Sequence, residues 1–111
     1  MPSQGDIVLV PVPFTDLSSA RRRPVIVIAN DQYQVDTPDM VVVAMTSNPV
    51  LTPHSFMITS ADLVAGKLNH PGRVRVDKIY TLAQSIVVRH FGKVNDATLN
   101  QIRQILADLC R

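Results

Sequence analysis

Proline sets the strongest limit on how this chain can fold. Eight prolines stand in 111 residues. Pro11, Pro13, Pro24, Pro38, Pro49, Pro53 and Pro71 fall between short apolar runs rich in β-branched residues. Proline has no amide donor and a fixed φ, so these positions must begin strands, lie at sheet edges or occupy loops. The runs Ile7–Val10, Val25–Ala29, Val41–Ala44, Phe56–Ile58 and Ile86–Val88 have strand length and strand composition. Short strands separated by turn residues predict a mostly β, α+β protein built as a small barrel or sandwich, not from parallel βαβ units.

Two segments depart from the β pattern. From Asn95 to Arg111 the apolar residues fall at Leu99, Ile102, Ile105, Leu106, Leu109 and Cys110, the spacing of one helix face. Asn95 is a favourable N-cap, Asp96 suits the positive end of the helix dipole, and Gly92 closes the strand region before it. Ser60–Lys67 reads as a single helical turn ended by Gly66. Arg73–Tyr80 carries different information. Val74 and Val76 alternate with Arg73 and Arg75 as in a half-buried strand, but continuing that alternation would put Lys78 on the apolar face. The phase slips near Asp77–Lys78, which predicts a bulge or bend.

Composition bounds the remainder. Hydrophobic residues make up 46% and charged residues 18% of the chain, a globular mixture that excludes a disordered or fibrous protein. The length suits one domain over 1–111, burying roughly two-thirds of its unfolded surface. Cys110 is the sole cysteine, which excludes an internal disulfide and fits a reducing compartment. No basic residue precedes an N-terminal apolar run, and Met40–Met45 and Val25–Ala29 fall far short of the roughly 20 residues of a membrane span. The expected setting is cytoplasmic, without membrane attachment.

The net charge is only +2, yet its distribution is uneven. Residues 1–66 hold three arginines and six aspartates, net −3, whereas residues 67–111 hold eight basic and three acidic residues, net +5. An uneven field can attract a polyanion although its sum is small.

Several chemistries lack their residues. Glutamate is absent, the histidines His54, His70 and His90 have no ligand-like spacing, and the four glycines form no phosphate loop. No metal and no cofactor are expected. Two polar segments remain. Ser18-Ser19-Ala20-Arg21-Arg22-Arg23-Pro24 leads three arginines into an apolar strand. It reads either as a solvated charge run before an edge strand or as a phosphate site, because guanidinium forks match phosphate oxygens. Arg23, next to the strand and a rigid proline, is the best placed. Met45-Thr46-Ser47-Asn48-Pro49 ends an apolar strand in small polar side chains. It is either a terminating turn or a set of hydroxyl donors at a barrel mouth.

In this order the segments resemble one family. Gly5-Asp6-Ile7-Val8-Leu9-Val10 followed by Pro13-Phe14-Thr15-Asp16 is similar to the N-terminus of the MazF/PemK toxins. Arg22-Arg23-Pro24-Val25-Ile26-Val27-Ile28 resembles their arginine–proline strand, and Val43-Ala44-Met45-Thr46-Ser47 the next strand with its hydroxyl end. Val74-Arg75-Val76-Asp77-Lys78-Ile79-Tyr80-Thr81-Leu82 matches a block common in PemK-like members. The resemblance covers essentially the whole chain.

It implies an SH3-like twisted β-barrel with a C-terminal helix, a fold shared with the CcdB gyrase poisons. It also implies a homodimeric, metal-independent endoribonuclease toxin that cuts single-stranded RNA at short sequences and is neutralised by a cognate antitoxin. The family's catalytic arginine and threonine align with Arg23 and Thr46, and its RNA contacts with Phe14, Asn30, Leu51, Pro53, Asp77 and Lys78. Arg22, Ser47 and Arg75 complete the candidate RNA-binding residues. Gly72 stands where many PemK-like members have serine, so a polar contact is lost there. The antitoxin tail is expected to be acidic or extended, matching the basic half of the chain.

Metal-free RNA cleavage uses the 2′-hydroxyl as internal nucleophile and leaves a 2′,3′-cyclic phosphate and a 5′-hydroxyl. Negative charge builds on the phosphorane, which calls for a preorganised guanidinium and a hydroxyl donor. Arg23 and Thr46 are of those types. A guanidinium with a pKa above about 12 is a poor general base, so charge stabilisation is the better role for Arg23. Two other readings belong to the same fold. One is a CcdB-like poison of DNA gyrase, though the ending Leu109-Cys110-Arg111 lacks that branch's aromatic terminus. The other is a member that binds RNA or its antitoxin without cutting.

Overall fold

A computed structural model describes residues 1–11 and 22–111. Seven strands form one antiparallel, curled sheet: β1 (Asp6–Val10), β2 (Arg23–Val27), β3 (Asp39–Thr46), β4 (Ser55–Ile58), β5 (Leu63–Gly66), β6 (Gly72–Ala83) and β7 (Arg89–Val94). Their order across the sheet is β4-β6-β3-β2-β1-β7-β5. Helix α1 (Asp31–Asp36) joins β2 to β3, and helix α2 (Asp96–Leu109) follows β7.

The central strands are uninterrupted apolar runs because both of their faces are buried. Ile7, Ile26, Val43, Met45, Val74, Val76 and Val94 face one cluster, which α2 closes with Leu99 and Ile102. Val8, Val10, Val25, Val27, Met40 and Val42 face the other. There Tyr80, Leu82, Ile86 and Val87, from the end of β6 and the chain after it, form the cover. In β1, β2 and β3 side chains alternate between the two clusters, as the pleat requires.

The phase slip in β6 is real and is three residues long. Val43 pairs with Ile79, while the next β3 residue, Ala44, pairs with Arg75. Val76, Asp77 and Lys78 therefore have no partner in β3. An odd insertion exchanges the faces of a strand. Val74 and Val76 lie in the α2-side cluster, whereas Tyr80 and Leu82 pack on the opposite one. The slip lets one long strand serve both cores. Val76 stays buried, and its amide donates to the His54 carbonyl at 3.0 Å.

The C-terminal helix begins as expected: Asn95 Oδ1 accepts the Thr98 amide at 2.9 Å. Two expectations need correction. The predicted helical turn over Ser60–Lys67 is a 3-10 turn only at Ser60–Asp62, capped by Thr59, and then becomes β5. Leu63–Gly66 is drawn into a strand by pairing with β7, where Gly66 lies opposite Gly92. Their backbones come so close that a Cβ on Gly92 would lie 2.3 Å from the Ala65 carbonyl oxygen. Ile86–Val88 is not a strand either. Gln84–Ile86 forms a 3-10 turn and β7 starts at Arg89. Ile86 and Val87 are β-branched because they cap a core, not because they extend a ladder. Sequence reading also missed α1, whose six residues are too few to show a period.

Candidate active site

The first strand of the site is β2. Its register with β3 pairs Val25 with Ala44, and continuing outward sets Arg23 opposite Thr46. On its other side Arg23 pairs with Val10 of β1. Arg23 and Thr46 thus project from adjacent strand ends on one sheet face, although 23 positions separate them in sequence. The β6 slip completes the site from the far side of β3. It returns Arg75 opposite Ala44, puts Lys78 in the bulge and carries Tyr80 back over the sheet.

Together Arg23, Ala44, Met45, Thr46, Arg75, Lys78 and Tyr80 line a cleft of about 130 Å³. Arg23, Thr46, Arg75 and Lys78 are candidates from the sequence; Tyr80 is not. Only its place in the recognised Val74–Leu82 block could have marked it. Burial raises the Tyr80 hydroxyl above its ordinary pKa, and the positive charges of Arg75 and Arg23 partly offset that. The Arg23 Nε is buried and has no hydrogen-bond partner among the described residues. A buried guanidinium nitrogen without a partner is costly unless a ligand completes it. Thr46 Oγ1 accepts the Asn48 amide at 3.2 Å, which leaves its own proton to donate.

Arg75 is held rather than loose. Its Nε donates to Asp77 Oδ1 at 2.9 Å and its Nη2 to Oδ2 at 2.8 Å, a bidentate fork across the bulge. The hydrogen bond from Arg75 holds the Asp77 carboxyl below its ordinary pKa, and the same bond raises Arg75. Asp77, a candidate RNA contact, thus has both oxygens engaged by a neighbouring candidate.

The remaining candidates lie outside this cleft. Arg22 is exposed just before β2, and Asn30 caps α1 by accepting the Tyr33 amide at 2.9 Å. Leu51 and Pro53 stand exposed in the loop between β3 and β4, at residues 47–54. Ser47 lines a second cleft of about 500 Å³, which also reaches Thr46 and includes Lys67, Arg89 and Phe91. Arg89 lies over the Phe91 ring, 5.2 Å from its centroid. Phe14 and the segment Ser18–Arg21 lie outside the described residues. Among the described residues no three His, Cys or Asp side chains are grouped as metal ligands, and no helix is long and apolar enough to cross a membrane.

A hydroxyl, two guanidiniums and an ammonium converging on one small cleft suit a phosphate oxyanion. The family model of PemK-like, MazF-like toxins of type II toxin–antitoxin systems matches residues 3–110. The chain belongs to this toxin family. The curled sheet with its C-terminal helix is the fold of this family. A mycobacterial endoribonuclease solved with its cognate antitoxin is 25% identical, with TM-score 0.72, covering 97% of this chain and 93% of that one. A second mycobacterial endoribonuclease is 26% identical, with TM-score 0.69 and coverage of 96% and 88%. The MazF of a MazE–MazF structure from Deinococcus radiodurans shares the fold at TM-score 0.78 and 22% identity, over 98% and 95% of the chains. No curated protein sequence matches significantly.

Proposed function

We propose that this PemK/MazF-like toxin is a metal-independent endoribonuclease that cuts single-stranded RNA at short sequences by attack of the 2′-hydroxyl. One observation carries the reading: the Arg23 Nε, without a hydrogen-bond partner among the described residues, and the Thr46 hydroxyl share a small cationic cleft. The requirement for a 2′-hydroxyl spares DNA. Arg23 and Thr46 are the catalytic residues, neutralising and hydrogen-bonding the phosphorane. Arg75 and Lys78 add positive charge around it. Charge stabilisation is the assignment for Arg23, since a guanidinium does not give up its proton near neutrality. The RNA contacts extend from the cleft to Arg22, Asn30, Ser47, Leu51 and Pro53, with Asp77 acting through Arg75.

The working unit in this reading is a cytoplasmic homodimer, and a relative solved with its cognate antitoxin supports inhibition by such a partner. Incubating the purified protein with long single-stranded RNA in EDTA should give discrete fragments with 5′-hydroxyl ends. Arg23→Ala and Thr46→Ala should each lower the single-turnover rate by about 10²–10³, the usual effect of removing one transition-state donor. A requirement for added metal, or undiminished cleavage by Arg23→Ala, would overturn the mechanism. Intact RNA with trapped gyrase–DNA cleavage complexes would replace it with gyrase poisoning.

A further inference from the structure

Arg73 has the most anomalous environment of any charged side chain described. It lies in β6 directly opposite Thr46 and is only 3% exposed. No carboxylate pairs with it among the described residues, and its Nε has no hydrogen-bond partner there. Burying an unpaired guanidinium is unfavourable, and an apolar residue of similar volume would suit a strand better. Arg73 therefore marks a site where stability yields to another requirement.

Its contacts show what that requirement is. Nη1 donates to the Val50 carbonyl and, at 3.2 Å, to Thr52 Oγ1, both in the loop between β3 and β4. From Val50 the hydrogen bonds run back toward the site. The Val50 amide donates to Asn48 Oδ1 at 3.0 Å, and the Asn48 amide donates to Thr46 Oγ1 at 3.2 Å. The relay Arg73–Val50–Asn48–Thr46 closes a ring across the β3–β6 pair. Along it every donor points toward the hydroxyl, so Thr46 Oγ1 is engaged as an acceptor and its proton is left for the cleft. Leu51, between the two residues that Arg73 reaches, stays exposed.

We infer that Arg73 is a positioning residue: it clamps the 47–54 loop, through that loop orients the Thr46 hydroxyl, and sets where the RNA is cut. The inference rests on the nuclease reading of Thr46, but its test separates the two. Arg73→Met keeps the length and removes the donors, whereas Arg73→Lys keeps a donor able to reach the loop.

Amide hydrogen exchange of Asn48 and Val50 should accelerate about tenfold or more in Arg73→Met, while the Val42–Ala44 amides of β3 keep their protection. Single-turnover RNA cleavage should slow by about 10- to 100-fold, as expected for a misplaced catalytic group. New secondary cut sites should appear on end mapping, and Arg73→Lys should restore part of both the rate and the pattern. Thr52→Val removes one acceptor from an exposed position and should cause the same changes more weakly, which covers a failure of Arg73→Met to fold. Unchanged loop exchange, or a wild-type rate and cut pattern in both Arg73→Met and Thr52→Val, overturns the inference. If the wild-type protein cuts no RNA, the nuclease reading fails, and the exchange data alone decide whether Arg73 holds the loop.

Discussion

Replacing Asp77 with asparagine isolates the Arg75–Asp77 fork. The two side chains are 23% and 31% exposed and share hydrogen bonds of 2.8 and 2.9 Å. Charge-assisted hydrogen bonds contribute about 1.5–3 kcal/mol when shielded, and exposed ion pairs only about 0.2–1 kcal/mol. At this partial exposure, screening leaves about 1 kcal/mol for the pair. Asparagine keeps one acceptor for the guanidinium, so the expected loss is about 0.5–1 kcal/mol. In a domain of this size that lowers Tm by about 2–4 °C at neutral pH.

The loss must depend on pH with a definite sign. The Asp77 pKa is lowered in the folded state, first by the hydrogen bond from Arg75. Its contribution is therefore fully present above the unfolded carboxyl pKa of about 3.9 and is lost as pH falls through the lower folded value. Arg75 stays protonated throughout and adds no pH dependence of its own. Thermal unfolding followed by circular dichroism, at fixed protein concentration between pH 7 and pH 2.5, should show the wild-type and Asp77→Asn curves separated at pH 7. They should converge below about pH 3.9. A constant separation down to pH 2.5, or a variant more stable than wild type at pH 7, would refute the argument. Freed from its carboxylate, Arg75 should also bind phosphate better. Asp77→Asn should hold a non-cleavable single-stranded RNA more tightly, most clearly at low salt.

Three further outcomes follow from packing. Asn95→Ala removes the cap on the Thr98 amide and should cost about 1 kcal/mol, read as a lower urea midpoint with unchanged m. Gly92→Ala places a methyl group 2.3 Å from the Ala65 carbonyl oxygen, so β5 must move off β7. The expected cost is about 1–3 kcal/mol, with faster hydrogen exchange in Leu63–Gly66 and retained protection in β2 and β3. Gln84→Ala strips one amide from the carbonyls of Gln34, Thr37 and Asp39, which it reaches at 2.8, 3.0 and 2.9 Å. It should destabilise by about 1–3 kcal/mol in urea unfolding, because those acceptors lose their shared donor.

Much of the site was legible, though not from local chemistry alone. Arg23 sits where a strand starts and Thr46 where one ends. Their residues alone left a solvated charge run and a terminating turn open, and the family resemblance singled them out. Tyr80 and Arg73 were not legible. Tyr80 reads as an apolar strand residue until the slip carries it over the cleft. Arg73 reads as an outward-facing arginine until the loop between β3 and β4 folds onto it. Val74–Val76 alternation placed both arginines of the strand facing outward, and for Arg73 that is wrong, since it is only 3% exposed. Its burial depends on a loop 21 and 23 residues away.

The amino-acid sequence by itself determined the features that depend on periodicity and on single-residue geometry. These are short strands bounded by prolines, the Asn95-capped helix, and a phase break at Asp77–Lys78. Each is enforced within a few residues, by φ restriction, side-chain alternation or a local hydrogen bond. Only the tertiary structure decided which short segments became strands, since Leu63–Gly66 pairs with β7 while Ile86–Val88 caps a core. It alone also set the break at three residues, an odd number, which turns Tyr80 and Leu82 onto the second core. Pairing partners and buried faces are supplied by distant parts of the chain, so no local pattern encodes them. The cleft at Arg23 and Thr46 exists because two strand ends and one slipped strand meet there.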